Sequence, residues 1–168
     1  MTARRARVAT AASPEAVTFV RKQVLTQVDA WGLALEKDTW EAIRLVTSEL
    51  VTNAVVHAGG MITIGLYLND STLLLVVHDG SQALPARPDP PRAEEPESGR
   101  GLLLVEAFAA RWGWDPTPEG KEVWAEFEVS PPGMAAEAEL VRCRAKAARP
   151  HPRLRILPQG VVLAGALR

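Results

Sequence analysis

The stretch ELVTNAVVHA, residues 49–58, has helical periodicity and carries two polar side chains of a kind that can bind ligands. Glu49 and Asn53 are four residues apart, so on a helix they lie on one face, one turn from each other. At about 100° per residue, the same arc carries aliphatic residues and the opposite arc is polar. The aliphatic set is Ala42, Leu45, Val46 and Val56, and the polar set is Glu41, Arg44, Ser48 and Thr52. The pattern therefore places Glu49 and Asn53 on the covered side of the helix.

A carboxylate on a covered helix face is unfavourable unless it has a partner, a metal ion or a water-filled pocket. Glu49 therefore predicts a functional site beside this helix. The alternative is that Glu49 lies at the edge of the covered arc and extends its carboxylate into solvent. The stretch by itself leaves both interpretations open.

The composition is that of one globular domain. The 168 residues are enough to bury a core, and a content of 47% hydrophobic and 23% charged residues excludes a disordered chain. The net charge of −1 provides no electrostatic basis for binding nucleic acid or a membrane, so we expect neither partner. The single cysteine, Cys143, excludes an intramolecular disulfide and a multi-cysteine metal site. The sequence has no long apolar run and no signal-peptide core, which predicts a cytoplasmic protein.

The charge is distributed unevenly along the chain. Residues 131–168 contain seven Lys and Arg against two Asp and Glu, whereas the first 130 residues contain 12 against 18. We therefore predict a domain over residues 1–130, followed by a basic, Pro/Arg-rich tail over residues 131–168 that is poorly ordered.

Two long helices are predicted from their caps and from the spacing of their aliphatic residues, after a short edge strand at residues 5–10. Ser13 followed by Pro14 begins the first helix, which ends near residue 31. Asp38 begins the second helix in a capping-box pattern, and the pair Gly59-Gly60 ends it after about residue 58.

Four further strands form two predicted hairpins. Their sequences are MITIGLYL (61–68), STLLLVVHD (71–79), RWGWDPT and KEVWAEFEV. The first hairpin turns at Asn69-Asp70, and its second strand is so continuously aliphatic that we expect both of its faces to be covered. A helix that opens at residues 99–101 precedes the second hairpin, which turns at residues 116–120. This order implies an α+β fold, a two-layer α/β sandwich with a mixed, mostly antiparallel sheet and helices on one face.

Two further segments have the chemistry of a ligand site. Asp79-Gly80 follows a buried strand, where a carboxylate can accept a ligand's amino group and glycine lets the ligand approach the backbone. Gly99-Arg100-Gly101 opens a helix, whose N-terminal amides favour phosphate. Taken singly, the first pattern is also that of an ordinary turn and the second that of a hinge at a helix start.

The loop between these two segments, residues 81–98, contains five prolines and several charged residues but little that could be buried. Loops of this length inside a compact domain are usually functional lids or disordered. We therefore predict a mobile lid over residues 81–98.

In order along the chain, ELVTNAVVHA, HDGS, GRGLLLV and GKEVWAEF resemble the N, G1, G2 and G3 boxes of the Bergerat-fold (GHKL) ATPases. The resemblance covers residues 14 to 129. It is closest to the small bacterial branch of anti-sigma-factor serine kinases and stand-alone ATP-binding regulators. The four segments in this order and spacing are more specific than any one of them.

The resemblance implies a site for ATP and Mg²⁺. In the family, the asparagine of the first box binds the magnesium ion and the glutamate acts as general base, which assigns these roles to Asn53 and Glu49. The aspartate of the second box accepts the adenine amino group, which assigns Asp79, with Gly80 beside the base. A threonine is common near Glu122 in the family and binds an adenine-bridging water, so that contact is altered here.

The resemblance also assigns the residues that bind the phosphates. These are Gly99, Arg100, Gly101 and Leu102 at the start of the third helix, with residues 81–98 as the lid that closes over them.

Three functions follow as hypotheses. The first, favoured because Glu49 is retained, is a serine/threonine protein kinase that binds a sigma factor and phosphorylates a STAS-type anti-sigma antagonist, thereby regulating transcription. The second is a non-catalytic regulator that binds partners according to its nucleotide state. The third is a structural domain that needs no nucleotide. A homodimer is possible in each case.

Overall fold

A computed structural model of the protein describes residues 4–33, 35–69, 71–83 and 101–129. Most of the predicted lid and the two glycine-box residues Gly99 and Arg100 lie outside these ranges. The predicted tail over residues 131–168 also lies outside them.

Within the described residues, five strands form one sheet and three helices accompany it. The strands are β1 (Arg4–Ala11), β2 (Met61–Asn69), β3 (Thr72–Asp79), β4 (Arg111–Thr117) and β5 (Gly120–Glu128). The helices are α1 (Pro14–Ala30), α2 (Lys37–His57) and α3 (Gly101–Phe108). The sheet order is β1-β2-β3-β5-β4, and every neighbouring pair is antiparallel. The predicted edge strand, both hairpins and all three helices are therefore confirmed.

One face of the sheet packs against the helices to form the core. Alternate residues of β5 point to this face because side chains of a strand alternate in direction. Val123, Ala125, Phe127 and Val129 are all buried there. They meet the valines Val20, Val24 and Val28 of α1 and the aliphatic stripe of α2 in one cluster. The predicted α+β sandwich with helices on one face is confirmed.

The opposite face of the sheet is covered in part by the sheet's own aromatic side chains. Trp124 pairs with Val76, and its ring lies across Gly113, where a Cβ would stand 2.6 Å from the indole. The Tyr67 ring lies in the same way across Gly65, which pairs with Val76 on its other side. Val76 is thereby 7% exposed, whereas Thr72, Leu74 and His78 on the same face are only half-buried, so the expected cover of both faces of β3 holds fully for Val76 alone.

Three predicted boundaries were wrong by one or two residues. The N-cap of α2 is Glu36 rather than Asp38, because the Trp40 amide donates to the Glu36 carbonyl at 3.0 Å and closes an earlier turn. The C-cap is Ala58 in an extended conformation, and only Gly60 has a positive φ, of 94°. Asn69 pairs with Thr72 and so belongs to β2 rather than to the turn.

The predicted covered arc of α2 was wrong at one position. The buried stripe consists of Ala42, Ile43, Val46, Thr47, Leu50, Val51 and Ala54. At about 100° per residue, this stripe is centred away from Val56, which is 68% exposed. Glu49 and Asn53 are half-buried and lie at the edge of the stripe. The edge position left open by the sequence is therefore the observed one.

Candidate functional site

The first part of the candidate site is formed where α2 meets the start of α3. A Cβ at Gly101 would stand 2.6 Å from Oε2 of Glu49 and 3.8 Å from Nδ2 of Asn53. The backbone of Gly101 thus lies directly against both polar side chains, and a larger residue would have to displace the carboxylate. Three residues that the sequence assigns to one site come together here from two distant segments.

The environment of Glu49 suits a proton acceptor. Glu49 is half-buried at the edge of the core, and this burial raises the pKa of its carboxyl. A carboxylate with a raised pKa is a stronger base than a solvated one, and catalytic bases work best when their pKa is near the working pH. The α3 helix begins beside this carboxylate, and the first amides of a helix are donors without intrahelical partners. The region therefore combines a base with donors suited to a phosphate.

The second part of the candidate site is formed at the end of β3. Asp79 is its last residue and is 1% exposed. Its Oδ1 accepts two hydrogen bonds, one from the Ser81 amide at 2.8 Å and one from Nζ of Lys121 at 3.0 Å. The Lys121 side chain is also buried, so the two residues form an ion pair that is shielded from water.

Glycines bring backbone segments together around Asp79. A Cβ at Gly120 would stand 1.9 Å from the Asp79 carbonyl oxygen, so only glycine permits this approach of β5 to β3. At Gly80 a Cβ would lie 3.8 Å from the Glu119 carbonyl oxygen and 4.0 Å from that of Gly59. Because Gly59 follows the end of α2, the helix that carries Glu49 also reaches the segment that carries Asp79.

The two charged residues of the last box, Lys121 and Glu122, lie on opposite faces of the sheet. Glu122 pairs with His78 and lies on the sheet face that points away from the helices, where burial of the Tyr67 ring and, second, the charge of Glu122 raise the pKa of Tyr67. Lys121 instead points to the helix side and reaches Asp79. The alternation of Val123, Ala125, Phe127 and Val129 could have identified this, because it places residue 121 on the same face.

The remaining predicted site residues are placed in part. Leu102 lies in the first turn of α3, half-buried, and its side chain packs against the core. Contact with a phosphate through Leu102 would therefore use its backbone amide. Gly99 and Arg100 lie outside the described residues, and their assignment stays a prediction.

The described residues fit a magnesium ion that is bound mainly through a ligand and water. They contain no group of three or more His, Cys, Asp or Glu side chains that could hold a metal ion by themselves. Magnesium usually keeps several waters and is held by one or two protein oxygens together with substrate phosphates. Asn53 has one carboxamide oxygen, and its amide nitrogen Nδ2 is the atom that lies toward Gly101. This is the donor set expected for magnesium that arrives with a nucleotide.

The described helices include none that is long and apolar enough to cross a membrane. No curated protein compared with the chain matches it. A family model described as histidine kinase-like ATPase domain matches residues 10–127, which include α1, α2, α3 and the sheet from β2 nearly to the end of β5. With this match over more than half of its length and with the α+β sandwich described above, the chain belongs to the family of histidine kinase-like ATPase domains.

Proposed function

We propose that the protein binds ATP with magnesium and transfers the terminal phosphoryl group to a serine or threonine of another protein. Membership of the ATPase family supports nucleotide binding. The observation that supports the kinase step is the contact of Glu49 with Gly101, since a carboxylate of raised pKa beside a helix start suited to phosphate is what a general base requires.

Each residue has a separate role in this proposal. Asp79 accepts a hydrogen bond from the base of the nucleotide, and the carboxamide of Asn53 binds magnesium. Glu49 accepts the proton of the substrate hydroxyl. The hydroxyl oxygen bonds to the terminal phosphorus of ATP, and the bond from that phosphorus to ADP breaks. Magnesium, when bound, neutralises charge on the phosphates. The N-terminal amides of α3 donate to the phosphate oxygens.

The substrate class follows from the resemblance to anti-sigma-factor kinases. On that basis the substrate is a STAS-type anti-sigma antagonist, and a sigma factor is the second partner. Phosphorylation of the antagonist would then decide whether the sigma factor is held or released, which makes the protein a regulator of transcription.

A second candidate function is a nucleotide-gated binding module without catalysis. It is favoured by one observation: among the residues that the structure describes, burial is the cause of the raised pKa of Glu49. Within the described residues, no charged neighbour contributes to that pKa, whereas catalytic bases are commonly oriented by a third group. In this case the nucleotide would stabilise one binding-competent state of the protein, as in other population shifts.

Nucleotide affinity and phosphoryl transfer together test the proposal. Calorimetry with ATP, with and without magnesium, measures the first, and transfer of label from ATP to candidate antagonists measures the second. Glu49→Gln is compared with Glu41→Gln, a control on the same helix whose side chain is exposed and paired with Arg44. Transfer that is lost only in Glu49→Gln supports the kinase. Nucleotide binding without transfer to any candidate, with normal partner regulation by Glu49→Gln, supports the binding module.

A further inference from the structure

Lys121 is a buried charged residue for which the proposed function has no role. It is 4% exposed, and its Nζ lies 3.0 Å from Oδ1 of Asp79. Lysine is almost never fully buried unless it is paired. A buried ion pair is also weak evidence of stability, because desolvation offsets much of the attraction between its charges. The pair therefore calls for a functional explanation.

The backbone fixes Lys121 beside Asp79. The two residues are direct partners in the antiparallel register of β3 and β5. Gly120, the residue before Lys121, has no Cβ and so lets β5 come this close to the Asp79 carbonyl. Any ligand that reaches the carboxylate of Asp79 also reaches the ammonium of Lys121, because hydrogen-bond distance separates them.

The ion pair offers an acceptor and a donor side by side. Within the described part of the chain, the contacts of the Asp79 carboxylate go to Oδ1, which leaves Oδ2 to accept from a ligand. The Lys121 ammonium has three N–H donors and uses one of them on Asp79. One edge of adenine presents the complementary order, an amino donor next to the ring acceptor N1.

We propose that Lys121 is a specificity-determining residue of the nucleotide site, donating a hydrogen bond to N1 of the adenine whose amino group Asp79 accepts. This inference rests on the proposed function, in which Asp79 binds the base. Lys121 then completes recognition of the base edge by one acceptor and one donor, as other proteins read a base on its Watson–Crick edge.

The same pair disfavours guanine in the same orientation. Guanine carries a carbonyl oxygen where adenine has its amino group, and a ring N–H where adenine has the acceptor N1. The carboxylate would face an acceptor and the ammonium would face a donor. Buried polar groups that are left unpaired lower affinity strongly. The protein is therefore expected to select ATP over GTP.

The alternative is that Lys121 only balances the charge of Asp79. In that case removing Lys121 disturbs the whole base site and lowers affinity for every adenine nucleotide by the same factor. Donation to N1 predicts a loss confined to ligands that have the N1 acceptor. A nucleotide with a C–H group at this position, 1-deaza-ATP, keeps the amino group and distinguishes the two roles.

The test is calorimetric titration of the full chain with magnesium and ATP, 1-deaza-ATP or GTP. We expect the wild type to bind ATP at least about tenfold more tightly than 1-deaza-ATP, because a hydrogen bond from a charged donor is worth about that factor or more. Lys121→Met should lower ATP affinity by a similar factor. The ratio of ATP affinity to 1-deaza-ATP affinity in this variant should therefore approach one. Lys121→Gln keeps a donor for Asp79 but not the charge, and should give an intermediate ratio even if Lys121→Met does not fold.

Three results would overturn the inference. The first is equal wild-type affinity for ATP and 1-deaza-ATP, which needs no variant. The second is a Lys121→Gln or Lys121→Met protein that keeps the wild-type ratio, and the third is tighter binding of GTP than of ATP. If the wild type binds ATP and the variants show the same ratio of ATP affinity to 1-deaza-ATP affinity as the wild type, only the role of Lys121 fails. If the wild type binds none of the three nucleotides, the proposed function itself fails.

Discussion

The carboxylate of Glu49 occupies the space that a side chain at Gly101 would need, since a Cβ there would stand 2.6 Å from Oε2. The contact joins the middle of α2 to the first residue of α3. Because Gly101 has no Cβ, the backbone at the start of α3 can lie directly against the half-buried carboxylate of Glu49. A residue with a Cβ would prevent this approach. Glycine at position 101 is therefore part of the candidate site rather than only a helix start.

The first prediction concerns Gly101→Ala. The added Cβ meets the end of a flexible side chain, so Glu49 should move and the fold should keep its stability to within about 1 kcal/mol. Displacement of a catalytic base by about 1 Å can reduce the rate about 100-fold. We expect phosphoryl transfer to fall by roughly 10- to 100-fold, measured together with thermal unfolding.

Gly59→Ala is the matched control, because a Cβ at Gly59 would have no atom within 4 Å. It should leave transfer unchanged. A Gly101→Ala protein with wild-type transfer would show that the contact with Glu49 has no catalytic role.

The second prediction separates the roles of Glu49 and Asn53. Glu49→Gln keeps the size of the side chain but cannot accept the substrate proton, so transfer should fall roughly 10²–10⁴-fold with ATP affinity little changed. Asn53→Ala removes a magnesium ligand and should weaken ATP binding in the presence of magnesium more than in its absence. Calorimetry and labelled-phosphate transfer distinguish the two effects, and equal loss of affinity in both variants would contradict the assignment.

The third prediction is a pH dependence of stability that originates at Glu49. Because burial raises the pKa of this carboxyl in the folded state, folding favours its protonated form. The contribution of Glu49 to stability is therefore fully present below the ordinary glutamate pKa of about 4.3 and is lost as the pH rises through the raised value. Glu49→Gln does not ionise, so it should unfold at a higher temperature than the wild type at pH 7.

The difference between Glu49→Gln and the wild type should shrink toward zero near pH 4, measured by thermal unfolding across the pH range. Glu41→Gln, which removes an exposed ion pair with Arg44, should show no such trend beyond a few tenths of a kcal/mol. A Glu49→Gln protein that is less stable than the wild type at pH 7 would contradict the claim that burial destabilises the charged form of Glu49.

The fourth prediction concerns Asp79→Asn. An amide presents N–H donors on one side where the base amino group needs an acceptor, so ATP affinity should fall at least about tenfold. The change also removes the charge that balances Lys121, and breaking a buried pair from one side costs up to about 3–5 kcal/mol. Calorimetry and chemical unfolding measure the two losses. Asp29→Asn, an exposed change on α1, should show neither.

The fifth prediction tests the backbone contact beside Asp79. A Cβ at Gly120 would lie 1.9 Å from the Asp79 carbonyl oxygen, which is backbone and cannot rotate away. Gly120→Ala should therefore destabilise the protein by about 1–3 kcal/mol or more and reduce ATP affinity, because the strands must separate. Chemical unfolding measures the change. Wild-type stability in this variant would mean that the close approach of β3 and β5 is not maintained in solution.

Much of the fold was predictable because its signals are local. The alternation along β5 and into the residue after it identified the buried residues Val123, Ala125, Phe127 and Val129, and the aliphatic spacing of α1 identified Val20, Val24 and Val28. Caps were less predictable. Asp38 has the sequence signature of an N-cap, yet the N-cap lies two residues earlier because the Glu36 carbonyl already accepts from Trp40.

The sequence by itself determined the order of helices and strands, the α+β class and the polar pair Glu49 and Asn53 on one helix face. These depend on residue spacing within single segments. Only the tertiary structure decided that Gly101 meets Glu49, and that Lys121 rather than Glu122 meets Asp79. The physical reason is that contacts between distant segments depend on strand register and helix packing. A shift of one residue in register would have sent Lys121 to the opposite face of the sheet.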